Sequence, residues 1–223
     1  MRSSAIALFL LAACGTDPAD IANQVKAWAG DGIKGEVGFD SVSCQQVGEG
    51  QFSCKGEVTG GGSVTVSARK TDGGWEMALA EPIVVSSLVE ELLEKRLTEL
   101  DLGGHAVECG ERVRPATPGG SFKCAVEEPG GAVVNAAHVT IKDEAGNIDA
   151  DWVTPLIPSS EVEEKIAGWL ASQEITGKVD CGPRHRFSKP GTKFQCSVEG
   201  EPRKVVVTMN DFRGNLSLAF EGS

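Results

Sequence analysis

The chain has no tyrosine, and aromatic residues make up only 5% of it. It has three histidines in 223 residues, no Cys-x-x-Cys, no Gly-x-Ser-x-Gly, and no cluster of lysine and arginine to offset a formal net charge of −11. Each absence removes a class of function. Phosphate recognition needs a basic face, so nucleic acid is not an expected partner. His105, His138 and His185 stand at no ligand spacing, so no metal and no cofactor is expected. Without a nucleophile elbow or a spaced Ser, His and Asp group, no catalytic residue is assigned and the chain is not read as an enzyme. No apolar run reaches the ~20 residues of a membrane-spanning helix. The apolar fraction of 40% is ordinary for a globular protein and argues against a disordered tail.

What is present begins at the amino end. Met1-Arg2-Ser3-Ser4 carries one positive side chain, Ala5 to Leu11 is apolar, and Ala12 and Ala13 are small. This is the plan of a secretory signal peptide. Leu11-Ala12-Ala13-Cys14 resembles the lipobox of bacterial lipoproteins. By that resemblance residues 1–13 are a lipoprotein signal peptide, Cys14 is the lipidation site, and 14–16 form the lipidated amino terminus. Two or three acyl chains give stable anchoring where one is marginal. The implied location is outside the cytoplasm, lipid-anchored to a bacterial membrane in the cell envelope, on its periplasmic or surface-facing side. An ordinary signal peptide is the competing reading, and it leaves Cys14 unexplained.

Six cysteines remain, as Cys44/Cys54, Cys109/Cys124 and Cys181/Cys196. An even number in an exported chain reads as disulfides. A redox role would favour Cys-x-x-Cys in an electropositive setting. Each pair sits in the same frame. Valine stands two residues before the first cysteine, at Val42, Val107 and Val179. Phenylalanine stands two before the second, at Phe52, Phe122 and Phe194. The frames recur about 65–72 residues apart, which suits small tandem domains better than a solenoid, whose period is ~20–50.

A helix is expected before each first cysteine. The first starts at Asp17-Pro18 and aligns Ile21, Val25, Trp28 and Ala29. The second and third start with Ser87-x-x-Glu90 and Ser160-x-x-Glu163, which read as capping boxes. Leu88, Leu92, Leu93, Leu97 and Leu100 follow in the second, and Val162, Ile166, Trp169 and Leu170 in the third. Each stops near glycine: Gly30 or Gly32, Gly103-Gly104, and Gly177. The strands alternate strictly, as in Phe122, Cys124, Val126 and in Val205, Val207, Met209, so each sheet has one buried face. The expected fold class is α+β: three tandem small units, each one helix packed on a roughly four-stranded antiparallel sheet with one disulfide inside the unit. Their bounds are 17–81, 82–153 and 159–223, with 154–158 a stiff proline-containing linker. A unit of ~65 residues has a thin core and gains from such a staple.

The pattern of Val-x-Cys, Phe-x-Cys, a turn, Val-x-Val, and an Asp/Gly turn before a last strand resembles a family of small cysteine-pair domains in bacterial lipoproteins and secreted proteins. That family is the domain of unknown function four-three-three-three. The resemblance covers nearly all of the chain after Cys14, in three copies. It departs where the family has proline after the first cysteine, since Gln45, Gly110 and Gly182 stand there. It implies export, a lipid anchor and one disulfide per domain, and no activity.

The most basic spot in this acidic chain is the third cysteine loop, with Arg184, His185, Arg186, Lys189 and Lys193; Arg112 and Arg114 occupy the matching loop of the second unit. These seven residues are the candidate anion-binding set, beside the plainer reading of a solvated loop. Glu90, Glu91 and Glu94 read as helix-dipole partners and a solvated face. The expectation is a membrane-anchored, non-enzymatic binding or scaffolding module with an unidentified envelope protein partner. The alternative is a carrier or sensor of a small anionic ligand that uses the basic loops.

Overall fold

The computed structural model describes residues 16–32 and 37–222. Cys14 and the signal segment lie outside the described residues. The protein is α+β, with antiparallel sheets, three helices and three disulfides among the described residues. It divides into two compact parts, Met1–Glu81 and Pro82–Ser223.

In the first part, α1 (Pro18–Gly32) opens as the Asp-Pro pair predicts, with the Ala19 N–H donating to Asp17 Oδ1 at 2.9 Å. Ile21, Val25 and Ala29 form its fully buried stripe. Four strands follow: β1 (Phe39–Gly48), β2 (Gln51–Val58), β3 (Ser63–Thr71) and β4 (Gly74–Leu79), paired in the order β1-β2-β3-β4. Phe52, Cys54 and Val58 of β2 and Val64, Val66 and Ala68 of β3 make the buried face. Cys44 lies directly opposite Cys54 in the register, and their Cα atoms are 4.0 Å apart under the disulfide. Gly56, two residues beyond Cys54, has no room for a side chain because the Phe39 ring fills the space. The later sheets carry Val126 and Val198 at that position.

The second part holds two sheets. Its first half runs β5 (Ile83–Val85), α2 (Ser86–Glu99), β6 (Ala106–Glu108), β7 (Val113–Pro115), β8 (Ser121–Glu127), β9 (Val133–Ile141) and β10 (Ile148–Trp152). Its second half runs β11 (Leu156–Pro158), α3 (Ser159–Ala171), β12 (Val179–Asp180), β13 (His185–Phe187), β14 (Lys193–Val198), β15 (Glu201–Met209) and β16 (Leu216–Phe220). The sheets are ordered β10-β9-β8-β6 and β12-β14-β15-β16. Cys109–Cys124 and Cys181–Cys196 tie the first strand of each sheet to the second, with Cα separations of 4.0 and 4.3 Å.

Two small ribbons, β5 with β7 and β11 with β13, were not expected. In each, the strand that leads into the helix pairs with the middle of the cysteine loop. The 154–158 stretch, expected to be a stiff linker, therefore supplies a strand. Proline is tolerated there because a two-stranded ribbon leaves an open edge. The chain entering β11 is fixed by the buried Asn135, which donates from Nδ2 to the Thr154 carbonyl at 3.1 Å and accepts the Thr154 N–H on Oδ1 at 2.8 Å.

The capping boxes are corrected by the same ribbons. Both helices start two residues earlier than the boxes place them, at Ser86 and Ser159, and the cap positions fall on Val85 and Pro158, whose side chains offer no acceptor. The Ser86 and Ser159 hydroxyls instead donate to the carbonyls of Glu111 and Pro183 in the cysteine loops. This sets the helix phase. Ser86, Val89, Leu93 and Leu97 face the core, while Leu88 and Leu92 are 46% and 40% exposed. In α3 the buried face is Ser159, Val162, Ile166 and Leu170.

The helix ends also differ from expectation. The left-handed residue that closes each helix is Asp101 (φ 62°) after α2 and Glu174 (φ 59°) after α3. The N–H of Leu102 reaches the Leu97 carbonyl at 2.8 Å, and that of Ile175 reaches Leu170 at 3.1 Å, the six-to-one bond of a Schellman ending. A side chain at positive φ costs roughly 1 kcal/mol that glycine avoids. Glu174 is exposed. Glu174→Gly is therefore expected to stabilise the protein by up to about 1 kcal/mol, read as a higher urea midpoint at unchanged m-value.

Candidate functional site

The carboxylates of the two later helices are anchors. Glu90 Oε1 accepts the Cys109 N–H at 2.8 Å, and Glu163 Oε1 accepts the Cys181 N–H at 3.0 Å. Glu94 Oε1 takes the Val107 N–H at 3.1 Å. Cys109 and Cys181 are buried, so these amides need a partner inside the fold. Each helix is thus pinned to the first cysteine of the sheet it covers. The expectation of a solvated face is corrected for Glu90, which is half-buried; Glu91 and Glu94 are exposed.

Two arginines of the candidate set do parallel work. Arg114 Nη2 donates to the carbonyls of Cys109 at 2.9 Å and Glu111 at 3.1 Å, and the guanidinium stacks 3.8 Å from the Phe122 ring centre. Arg186 Nη2 donates to the Cys181 carbonyl, with its guanidinium 4.1 Å from the Phe194 ring centre. Each of these two cysteine loops is folded back over its own arginine, and each arginine covers the phenylalanine of the recurring Phe-x-Cys frame. Burial pulls both guanidinium groups below their ordinary pKa; at Arg114 the nearby charges of Glu111 and Glu90 work against that pull.

Arg184 and His185 are also committed. The Arg184 N–H donates to Asp101 Oδ2 at 3.2 Å, and its Nη2 donates to the Glu99 carbonyl at 3.0 Å. His185 Nδ1 lies 3.0 Å from the Leu100 carbonyl. These contacts join the third cysteine loop to the carboxyl end of α2. Lys189 and Lys193 are exposed. The Arg112 carbonyl accepts the Ser86 N–H at 2.9 Å. The seven candidate residues therefore do not converge on one point.

A cleft of about 530 Å³ lies where the third cysteine loop meets the end of α2 and the β8–β9 turn. Its walls include Leu102, Val134, Phe187 and Phe194, and its polar groups are His105, His185, Arg186, Lys189, Thr192 and Glu128. His105 Nδ1 sits 2.8 Å from the Leu102 carbonyl, and its ring stands edge-on to Phe187 at 6.1 Å; Trp152 meets the same phenylalanine at 6.0 Å. With each Nδ1 held by a carbonyl, both histidines keep Nε2 for other partners. Sequence reading named His185, Arg186 and Lys189 here and missed His105, Phe187 and Glu128. The available signal was the 72-residue offset that aligns Arg-x-Arg, Pro-Gly and Phe-x-Cys of the two later loops. His138 is exposed on β9, away from this cleft.

Among the described residues, no group of three or more His, Cys, Asp or Glu side chains could hold a metal ion. No helix among them is long and apolar enough to cross a membrane. Three disulfides point to an oxidising, extracytoplasmic setting. No family model, no curated protein and no solved structure matches the chain.

Proposed function

We propose that this protein is a lipid-anchored bacterial envelope lipoprotein that works by binding, without catalysis. In this reading Cys14 carries the anchor, and three α+β units (17–81, 82–153 and 159–223) project from the membrane. The resemblance to the cysteine-pair domain of unknown function four-three-three-three supports the same reading. One observation carries it. The side chains best suited to chemistry, Glu90, Glu163, Arg114 and Arg186, hold backbone groups, so their binding energy goes into a rigid surface. Tandem units would raise the affinity of weak individual contacts through effective concentration.

The test is in-cell cross-linking of the membrane-anchored protein, followed by mass spectrometry of what is captured. The reading expects a specific envelope protein that disappears when residues 17–223 are replaced by an unrelated exported domain on the same anchor. Capture that persists with the replacement, or none above background, would count against it.

A further inference from the structure

The second and third sheets carry the same arginine clamp, but its electrostatic setting differs. Beside Arg114 stands Glu111, and both line a shallow depression with Thr117 and Phe122. Seventy-two residues on, the same positions hold Arg186, Pro183, Lys189 and Phe194, all of which line the cleft. Glutamate has become proline, and threonine has become lysine. The local charge has shifted by two units toward positive, in a chain whose formal net charge is −11. Arg186 is half-buried and has no ion pair among the described residues. Its Nε is buried without a hydrogen-bond partner. Burial alone acts on its pKa, with no acid pushing back.

A half-buried cation without a counterion is costly, and a bound anion removes the cost. The remaining wall is apolar and partly aromatic, through Phe187, Phe194, Leu102 and Val134. Its volume falls in the range of small-molecule sites, ~300–1,000 Å³. We propose that this cleft binds a small organic acid whose carboxylate lies toward Arg186 and Lys189 and whose apolar or aromatic body rests on Phe187. Glu128 is the one acid on the rim, and it disfavours a second negative group at the far end. This inference rests on the binding-module reading and names a ligand class for it.

The three histidines make the test direct, since each gives its own imidazole signal in proton NMR. The full chain, with its disulfides intact, is titrated with 2-naphthoate and separately with the neutral 2-naphthamide. The expected result is that His105 and His185 shift with 2-naphthoate while the exposed His138 does not, and that the amide binds at least tenfold more weakly. Pro183→Glu, an exposed substitution that restores the acid found beside Arg114, should weaken 2-naphthoate at least tenfold. Lys189→Thr should weaken it about two- to fivefold, as suits a partly screened charge. Equal binding of acid and amide, an undiminished affinity in Pro183→Glu, or the absence of any selective histidine shift would overturn the proposal. Cross-linking reads a protein partner and this titration reads a small acid, so either can fail while the other stands.

Discussion

Removing the Cys109–Cys124 bridge with the double change Cys109→Ala and Cys124→Ala should cost about 3 kcal/mol. The bridge closes a loop with a sequence separation of 15, and a loop of that size restricts the unfolded chain by about that much. Both cysteines are buried, so alanine fits the site without adding a polar group. The neighbouring contacts raise the stake. The Cys109 amide holds Glu90, and the Cys109 carbonyl holds Arg114, so the bridge fixes the point where helix, loop and sheet meet. Thermal unfolding of the full chain should show the transition that contains residues 82–223 lowered by roughly 6–12 °C. A fall of less than about 2 °C would mean that the loop is held by its arginine and ribbon without help from the staple.

Glu163→Ala should cost about 2 kcal/mol, and Glu163→Gln much less. The carboxylate accepts a hydrogen bond from the buried Cys181 amide at 3.0 Å. Alanine leaves that N–H without a partner, which carries the desolvation penalty of roughly 1–3 kcal/mol. Glutamine keeps an acceptor oxygen of similar reach and loses only the charge. Urea denaturation of the two variants separates these roles. If the two cost the same, charge near the amino end of α3 matters more than the bond to Cys181.

The strands were legible because apolar residues alternate along the inward rows of the central strands. Val205, Val207 and Met209 are all buried, as are Ala137, Val139 and Ile141. Cysteine parity followed from the same pattern, and the structure bridges each pair across adjacent strands. Helix existence was legible, as was the inward face of α3 at Val162, Ile166 and Leu170, but both cap positions were placed two residues too late. Ser87-x-x-Glu90 satisfies a capping box in one dimension, while the competing bond that Glu90 accepts from the Cys109 N–H depends on a residue 19 positions away. In α2 the leucine spacing also put Leu88 and Leu92 inside, where both are exposed. The ribbons β5–β7 and β11–β13 were missed because three residues carry no measurable period, and their pairing is set by the cysteine loop. Glycine also misled at the helix ends, where Asp101 and Glu174 take the left-handed position despite glycines nearby.

Only part of the candidate site was legible, and by composition. Charge counting singled out the basic cysteine loops, yet Arg114 and Arg186 turn inward to backbone carbonyls and phenylalanine faces, which charge counting cannot foresee. The cleft needed His105 from beyond α2 and Phe187 from β13 to come together, and only the fold does that.

The most direct measurement is the intact mass of the protein extracted from native membranes, taken after thiol alkylation with and without prior reduction. An anchored, disulfide-stapled module outside the cytoplasm predicts a chain that starts at Cys14, carries two or three acyl groups, takes up no alkyl label before reduction, and takes up six after it. An unacylated Cys14, or a thiol among the six later cysteines that labels fully without reduction, would contradict the account.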